Sequence, residues 1–138
     1  MVEPPEGRGL IDASVVIRYS EVEPKRLPAE MAISTLTLAE LTAGPLATAD
    51  ELERARRQER LQRFETGVES LTFSPSCARA YGHIYAATLA GDRKPRGARA
   101  VDLMIAATAL AHDLPLHTLN AKDLRGLEGL LEIVDVSA

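Results

Sequence analysis

The sequence predicts an α/β fold with a central parallel sheet of about five strands, covered on both faces by helices. Two observations carry the prediction. Short apolar runs alternate along the chain with longer segments of helical character, and parallel neighbours need such crossovers. Helix-start signals stand between the runs, at Thr48 to Glu51 and at Ser74-Pro75. The length of 138 residues, with 46% hydrophobic and 26% charged residues, suits one folded domain over 1–138 that buries a core without disulfides.

Taken in order, Gly9-Leu10-Ile11-Asp12 reads as the end of a buried strand, and Ala13 to Tyr19 continues as a helix. After a polar connection from Glu21 to Pro28, Met31-Ala32-Ile33-Ser34 gives the second strand and Thr37-Leu38-Ala39-Glu40-Leu41 starts a helix. Thr48-Ala49-Asp50-Glu51 has capping-box spacing, a hydroxyl followed three residues on by a carboxylate, and predicts a helix to about Phe64. Leu71-Thr72-Phe73 is the third strand. Ser74 then caps a helix with Pro75 at its first position, running to about Ala90. Gly91 to Gly97 is a polar loop, and Ala98 to Ala111 is an alanine-rich helix. Pro115 to Thr118 is the fourth strand, Asn120 to Asp123 a turn into a short helix, and Leu131 to Val134 the fifth strand.

Composition excludes several classes of function. Cys77 is the only cysteine, so an intrachain disulfide and cysteine-rich zinc sites are ruled out, and a reducing cytoplasmic setting is expected. The longest apolar stretch, Val101 to Ala111, is interrupted by Asp102 and too short to span a bilayer, and the N-terminus lacks a signal pattern. No membrane association is expected. A net charge of −4 argues against holding nucleic acid by bulk electrostatics alone, but acids that bind a cation invert the local field where a phosphate sits.

In open parallel sheets, sites form outside the carboxyl ends of the strands. Asp12 ends the first strand, Glu40 follows the second, and Asn120 and Asp123 follow the fourth. Asp102 lies early in the helix before it. On that helix Asp102 shares a face with Ile105, Ala106 and Ala109, an acid at the top of an apolar stripe. Crowded carboxylates repel, and either protonation or a divalent cation relieves them. Oxygen-only ligands favour magnesium or manganese over zinc. Such an ion activates water for in-line attack on a phosphodiester.

At this point the chain resembles the PIN-domain ribonucleases, and within them the VapC-type toxins of type II toxin-antitoxin systems. The segments that carry the resemblance are Leu10-Ile11-Asp12-Ala13-Ser14, Thr37-Leu38-Ala39-Glu40-Leu41, Val101-Asp102-Leu103-Met104-Ile105-Ala106-Ala107 and Thr118-Leu119-Asn120-Ala121-Lys122-Asp123-Leu124. The resemblance implies a PIN-like three-layer α/β/α sandwich. It implies Asp12, Glu40 and Asp102 as the acids around magnesium or manganese, and Asn120 where many PIN domains carry a fourth aspartate. Asp123 is the nearby acid that can supply the missing charge, and one metal or two stays open. Ser14 and Thr118 are similar to the small hydroxyl residues that orient ligands or water beside the acids. The resemblance further implies an RNA endonuclease acting on tRNA or rRNA, leaving a 5′-phosphate and a 3′-hydroxyl, silenced by a VapB-type antitoxin and commonly homodimeric.

Plainer readings stand beside these. Asp12 alone reads as an N-cap, Glu40 as a favourable charge near a helix start, and Asn120 and Asp123 as turn formers. A salt bridge to Arg99 or Lys94 would account for Asp102. The run Arg54, Arg56, Arg57, Arg60, Arg63, interleaved with Glu59, reads as a solvated helix face or as a phosphate-contacting one. His83, His112 and His117 lack metal-ligand spacing, and Tyr81 with Tyr85 reads as helical packing. Two rival functions are a magnesium-dependent phosphohydrolase with Asp12 as nucleophile and a non-catalytic RNA- or partner-binding module. The first usually pairs its nucleophile with a second aspartate two residues on, where Ser14 stands.

Overall fold

In the computed structural model, which describes residues 7–91 and 97–137, β1 (Arg8–Ile11), β2 (Glu30–Ser34), β3 (Glu69–Leu71), β4 (Leu116–Thr118) and β5 (Ile133–Asp135) form one sheet. Every pairing is parallel and the order is β3-β2-β1-β4-β5. The helices are α1 (Ala13–Ile17), α2 (Thr35–Ala43), α3 (Glu51–Gly67), α4 (Pro75–Ala90) and α5 (Ala98–Ala111). The predicted α/β/α sandwich with a five-stranded parallel sheet is the observed architecture.

Two cores explain the three layers. Successive side chains of a strand point to opposite faces, so Leu10 and Ala32 join one buried cluster with Ile84, Leu103 and Leu116, while Ile11 and Ile33 join another with Val15, Val16 and Phe64. The first cluster lies under α4 and α5, which pack on each other, and the second under α1 and α3. A sheet apolar on both faces has to be covered on both.

Boundaries differ from the sequence reading where a side-chain bond decides them. Ser34 Oγ accepts the Leu36 N–H at 3.1 Å, which starts α2 at Thr35, two residues before the predicted start. For α3 the cap is Asp50, whose carboxylate accepts the Glu53 N–H at 3.1 Å, while Thr48 Oγ1 takes the N–H of Asp50 itself at 3.2 Å. The carboxylate therefore displaces the hydroxyl from the capping position, and α3 runs on to Gly67. The third strand lies two residues earlier than predicted, because Leu71 pairs with Ser34 at the end of β2 and the Phe73 N–H turns to Thr35 Oγ1. The fifth is Ile133–Asp135, since Leu131 is spent in the core under α5 before the strand begins. Helix α1 stops at Ile17 and a 3₁₀ turn takes up Tyr19–Glu21. Ser74 capping with Pro75 leading α4, and the bounds of α5, agree with expectation. Within the predicted Gly91 to Gly97 loop, residues 92–96 lie outside the described residues.

His117, paired with Ile11 across β1 and β4, is only 2% exposed, and its Nδ1 has no hydrogen-bond partner among the described residues. Burial pushes its pKa down from 6.5, against weaker pulls from the carbonyls of Leu10 and Pro115 and the charge of Glu132. A base whose folded-state pKa is depressed binds its proton better in the unfolded chain. Its contribution to stability is therefore whole above about pH 6.5 and is lost as the pH falls from there through the folded-state value. Melting temperatures taken at pH 7.5 and 5.5 should show a loss on acidification that His117→Gln reduces; equal losses in both proteins would remove His117 as the cause.

Candidate functional site

The sheet order creates a switch point. From β1 the chain moves outward through β2 to β3, then returns to place β4 and β5 on the other side of β1. A crevice forms outside the carboxyl ends of strands at such a point, and Asp12 follows β1 directly while Asn120 lies just past β4.

Hydrogen bonds lock the two strand ends together. The Asp12 N–H donates to the His117 carbonyl at 3.1 Å. Asp12 Oδ1 accepts the Val15 N–H at 3.2 Å and the Ser14 hydroxyl at 2.5 Å. Ser14 Oγ in turn accepts the Leu119 N–H at 3.1 Å, which ties the start of α1 to the exit of β4. Thr118 is fully buried, and its Oγ1 accepts the Asn120 N–H at 3.0 Å. Asp12 thus does cap α1, but with one oxygen: Oδ2 makes no hydrogen bond among the described residues.

The electrostatics are those of a crowded acidic mouth. Glu40, in the second turn of α2, has its pKa raised from 4.5, first by desolvation and then by the charges of Asp102 and Asp12. Asp102, in the second turn of α5, is raised from 3.8 by desolvation, Asp12 and Asp123, with Arg99 opposing. Both residues nevertheless keep exposed surface. The structure thus brings Asp12, Glu40 and Asp102 within mutual electrostatic reach and adds Asp123 beside Asp102. Asn120 stands in the loop beside them; its carbonyl accepts the Asp123 N–H at 3.0 Å, and its side chain makes no capping bond.

Among the described residues, no three histidine, cysteine, aspartate or glutamate side chains close on one point as they stand. The donor set fits a hard cation, because it is all oxygen, because Asp12 Oδ2 is unspent, and because the acids already disfavour one another's charge.

The bridge from Asp102 to Arg99 is absent among the described residues. Arg99 Nη1 lies 3.5 Å from the Asp123 carbonyl instead, and Lys94 is outside the described residues. His83 and His112 are exposed and Tyr81 packs against Tyr85 with ring centres 6.0 Å apart. No helix among the described residues is long and apolar enough to cross a membrane.

Two residues at the site had no role in the sequence reading or only a divided one. Thr37, fully buried, leaves its hydroxyl without a partner among the described residues and lines a cavity of about 310 Å³ with Glu40. Its spacing of one helical turn before Glu40 is the signal that could have found it. Arg60 lines the same cavity from α3.

A PIN domain family model matches residues 10–128. A solved structure of a member of the VapBC family of toxin-antitoxin systems, VapBC-5 from Mycobacterium tuberculosis, is similar at 31% identity, with a TM-score of 0.81 over 94% of this chain and 98% of that one. DNA-bound VapBC from Salmonella typhimurium is similar at 25% identity and a TM-score of 0.72, over 94% of this chain and 98% of that one. VapBC-1 from nontypeable Haemophilus influenzae, at 22% identity and a TM-score of 0.74 over 96% of this chain and 100% of that one, shares the fold. A comparison with curated proteins found no match. The chain belongs to the PIN-domain family, as a VapC-type member of a family of nuclease toxins.

Proposed function

We propose that this chain is a metal-dependent RNA endonuclease, the toxin of a toxin-antitoxin pair, working in the cytoplasm as a single domain over residues 1–138. The observation that carries the reading is the gathering of Asp12, Glu40 and Asp102 at the switch point of a PIN-domain sheet, where desolvation and then the neighbouring carboxylates raise the pKa values of Glu40 and Asp102. Asp12, Glu40 and Asp102 would hold magnesium or manganese, with Asn120 or Asp123 completing the shell. When bound, the ion lowers the pKa of a water and stabilises charge on a phosphodiester oxygen.

The chain's own residues supply the rest. The Ser14 hydroxyl fixes Asp12 by its 2.5 Å bond to Oδ1. Thr118 holds the loop that presents Asn120. No covalent enzyme intermediate is needed, since water is the nucleophile and the acids position rather than attack. The solved relatives are complexes of VapBC pairs, some bound to DNA, which supports a VapB-type antitoxin as partner. A homodimer is the further assembly expected.

The test is cleavage of tRNA and rRNA with magnesium, with EDTA, and by Asp12→Ala. Cleavage to 5′-phosphate ends is expected only from the unmutated, metal-supplied protein, with Asp12→Ala at least about a hundredfold slower. Cleavage that survives EDTA, or an Asp12→Ala protein as active as the original, would refute the reading.

A further inference from the structure

We infer that Arg60 seats a backbone phosphate of the RNA strand in a groove that leads from the carboxylates along α3. The inference rests on the nuclease reading for its ligand class but on separate observations for its place. The cavity that contains Glu40 is followed by a second, of about 260 Å³, between α1 and α3, and Ile17 and Arg60 line both. The two cavities therefore adjoin, Glu40 is the acid of the site that lines the first, and Arg60 stands at the junction.

The other arginines of α3 are occupied. Arg54 donates to the carbonyls of Pro45 and Thr48, at 3.1 and 2.8 Å, and Arg57 to Gly44 O at 2.9 Å and to Glu53 at 2.8 Å. Arg56 pairs with Glu53 at 3.6 Å and Arg63 with Glu59 at 3.5 Å. Arg60 makes no hydrogen bond or ion pair among the described residues; only its longer-range charge is felt at Glu53, as the weakest of the effects there. The residue is half-buried where it lines the two cavities.

The floor suits a nucleotide. Ile17 is 53% exposed there, and Tyr19 presents a ring fixed edge-on to Phe64 at 5.3 Å. Apolar and aromatic side chains that a base can stack on stand beside the Arg60 guanidinium, with the ion-paired Arg56, Glu59 and Arg63 lining the same cavity, and this matches the alternation of base and phosphate along a single strand. A carboxylate-rich peptide would satisfy the guanidinium but not the continuity with a site that acts on phosphodiesters.

The experiment reads binding of a fluorescein-labelled single-stranded RNA by fluorescence anisotropy, in EDTA and at several salt concentrations. Arg60→Ala should bind about tenfold more weakly, and its slope of log affinity against log salt should be shallower by about 0.7, one phosphate's worth on a single strand. Arg60→Lys should recover most of the affinity, and Arg79→Ala, on α4 away from both cavities, should match the unmutated protein. Unchanged affinity and slope in Arg60→Ala, no RNA binding by the unmutated protein even at low salt, or preference for a labelled polyglutamate peptide over RNA would overturn the inference. Because binding is read without metal, an Arg60-dependent slope in a protein that cuts no RNA would remove the nuclease reading alone.

Discussion

Replacing Asp102 by asparagine is expected to abolish metal-dependent RNA cleavage while raising the melting temperature of the metal-free protein. The two effects have one cause. Desolvation and the neighbouring carboxylates of Asp12 and Asp123 raise the pKa of Asp102 in the folded state. An acid with a raised pKa binds its proton more tightly when folded, so its cost to stability is present above the folded-state pKa and is relieved as the pH falls below it. Asparagine removes that cost without changing the shape of the side chain. Arg99 loses an attraction, but that is the smallest of the contributions. Because the side chain keeps exposure to water, the gain should be no more than about 1 kcal/mol, or about 4 °C in melting temperature. Calorimetric melting in EDTA measures the gain, and the RNA assay measures the loss. A variant that melts lower in EDTA would show that Asp102 is a structural acid with a satisfied partner.

Gly9→Ala should lower the melting temperature by about 3–10 °C, corresponding to about 1–3 kcal/mol of overpacking. A Cβ on Gly9 would lie 2.6 Å from His117 Cε1, 2.9 Å from Nδ1 and 3.0 Å from Pro28 Cβ. The imidazole, on β4, is only 2% exposed and so cannot swing out into solvent. Close approach is therefore the reason for glycine at this position. Gly82→Ala is the control of opposite sign. Nothing lies within 4 Å of its added Cβ, and it sits inside α4, where alanine is favoured over glycine by about 0.5–1 kcal/mol. Thermal melts of the two variants should move apart; movement in the same direction would contradict the packing account of Gly9.

The fold was legible because strand and helix signals were local. The alternation of runs predicts the parallel sheet, and Ser74-Pro75 marks the start of α4 to the residue. The errors are of one kind. Thr48 competes with Asp50 for the cap, and Leu71 to Phe73 has the composition of a strand, but pairing with β2 selects Glu69–Leu71. Such competitions are decided by hydrogen bonds across distant segments. At the site, Asp12, Glu40 and Asp102 were legible because each follows a strand or tops an apolar stripe. Thr37 and the isolation of Arg60 were not, because each depends on which neighbours fail to arrive. Alanine-rich α5 predicts an acid that needs a partner, while only the coordinates show that Arg99 turns to the Asp123 carbonyl.

If a hard cation makes these neighbouring charges tolerable, calorimetric titration of manganese into the metal-free protein reads it most directly. The unmutated chain should bind the ion and melt higher with it, while Asp102→Asn should bind at least about tenfold more weakly and gain correspondingly less. Equal binding by both proteins, or none by either, would contradict the account.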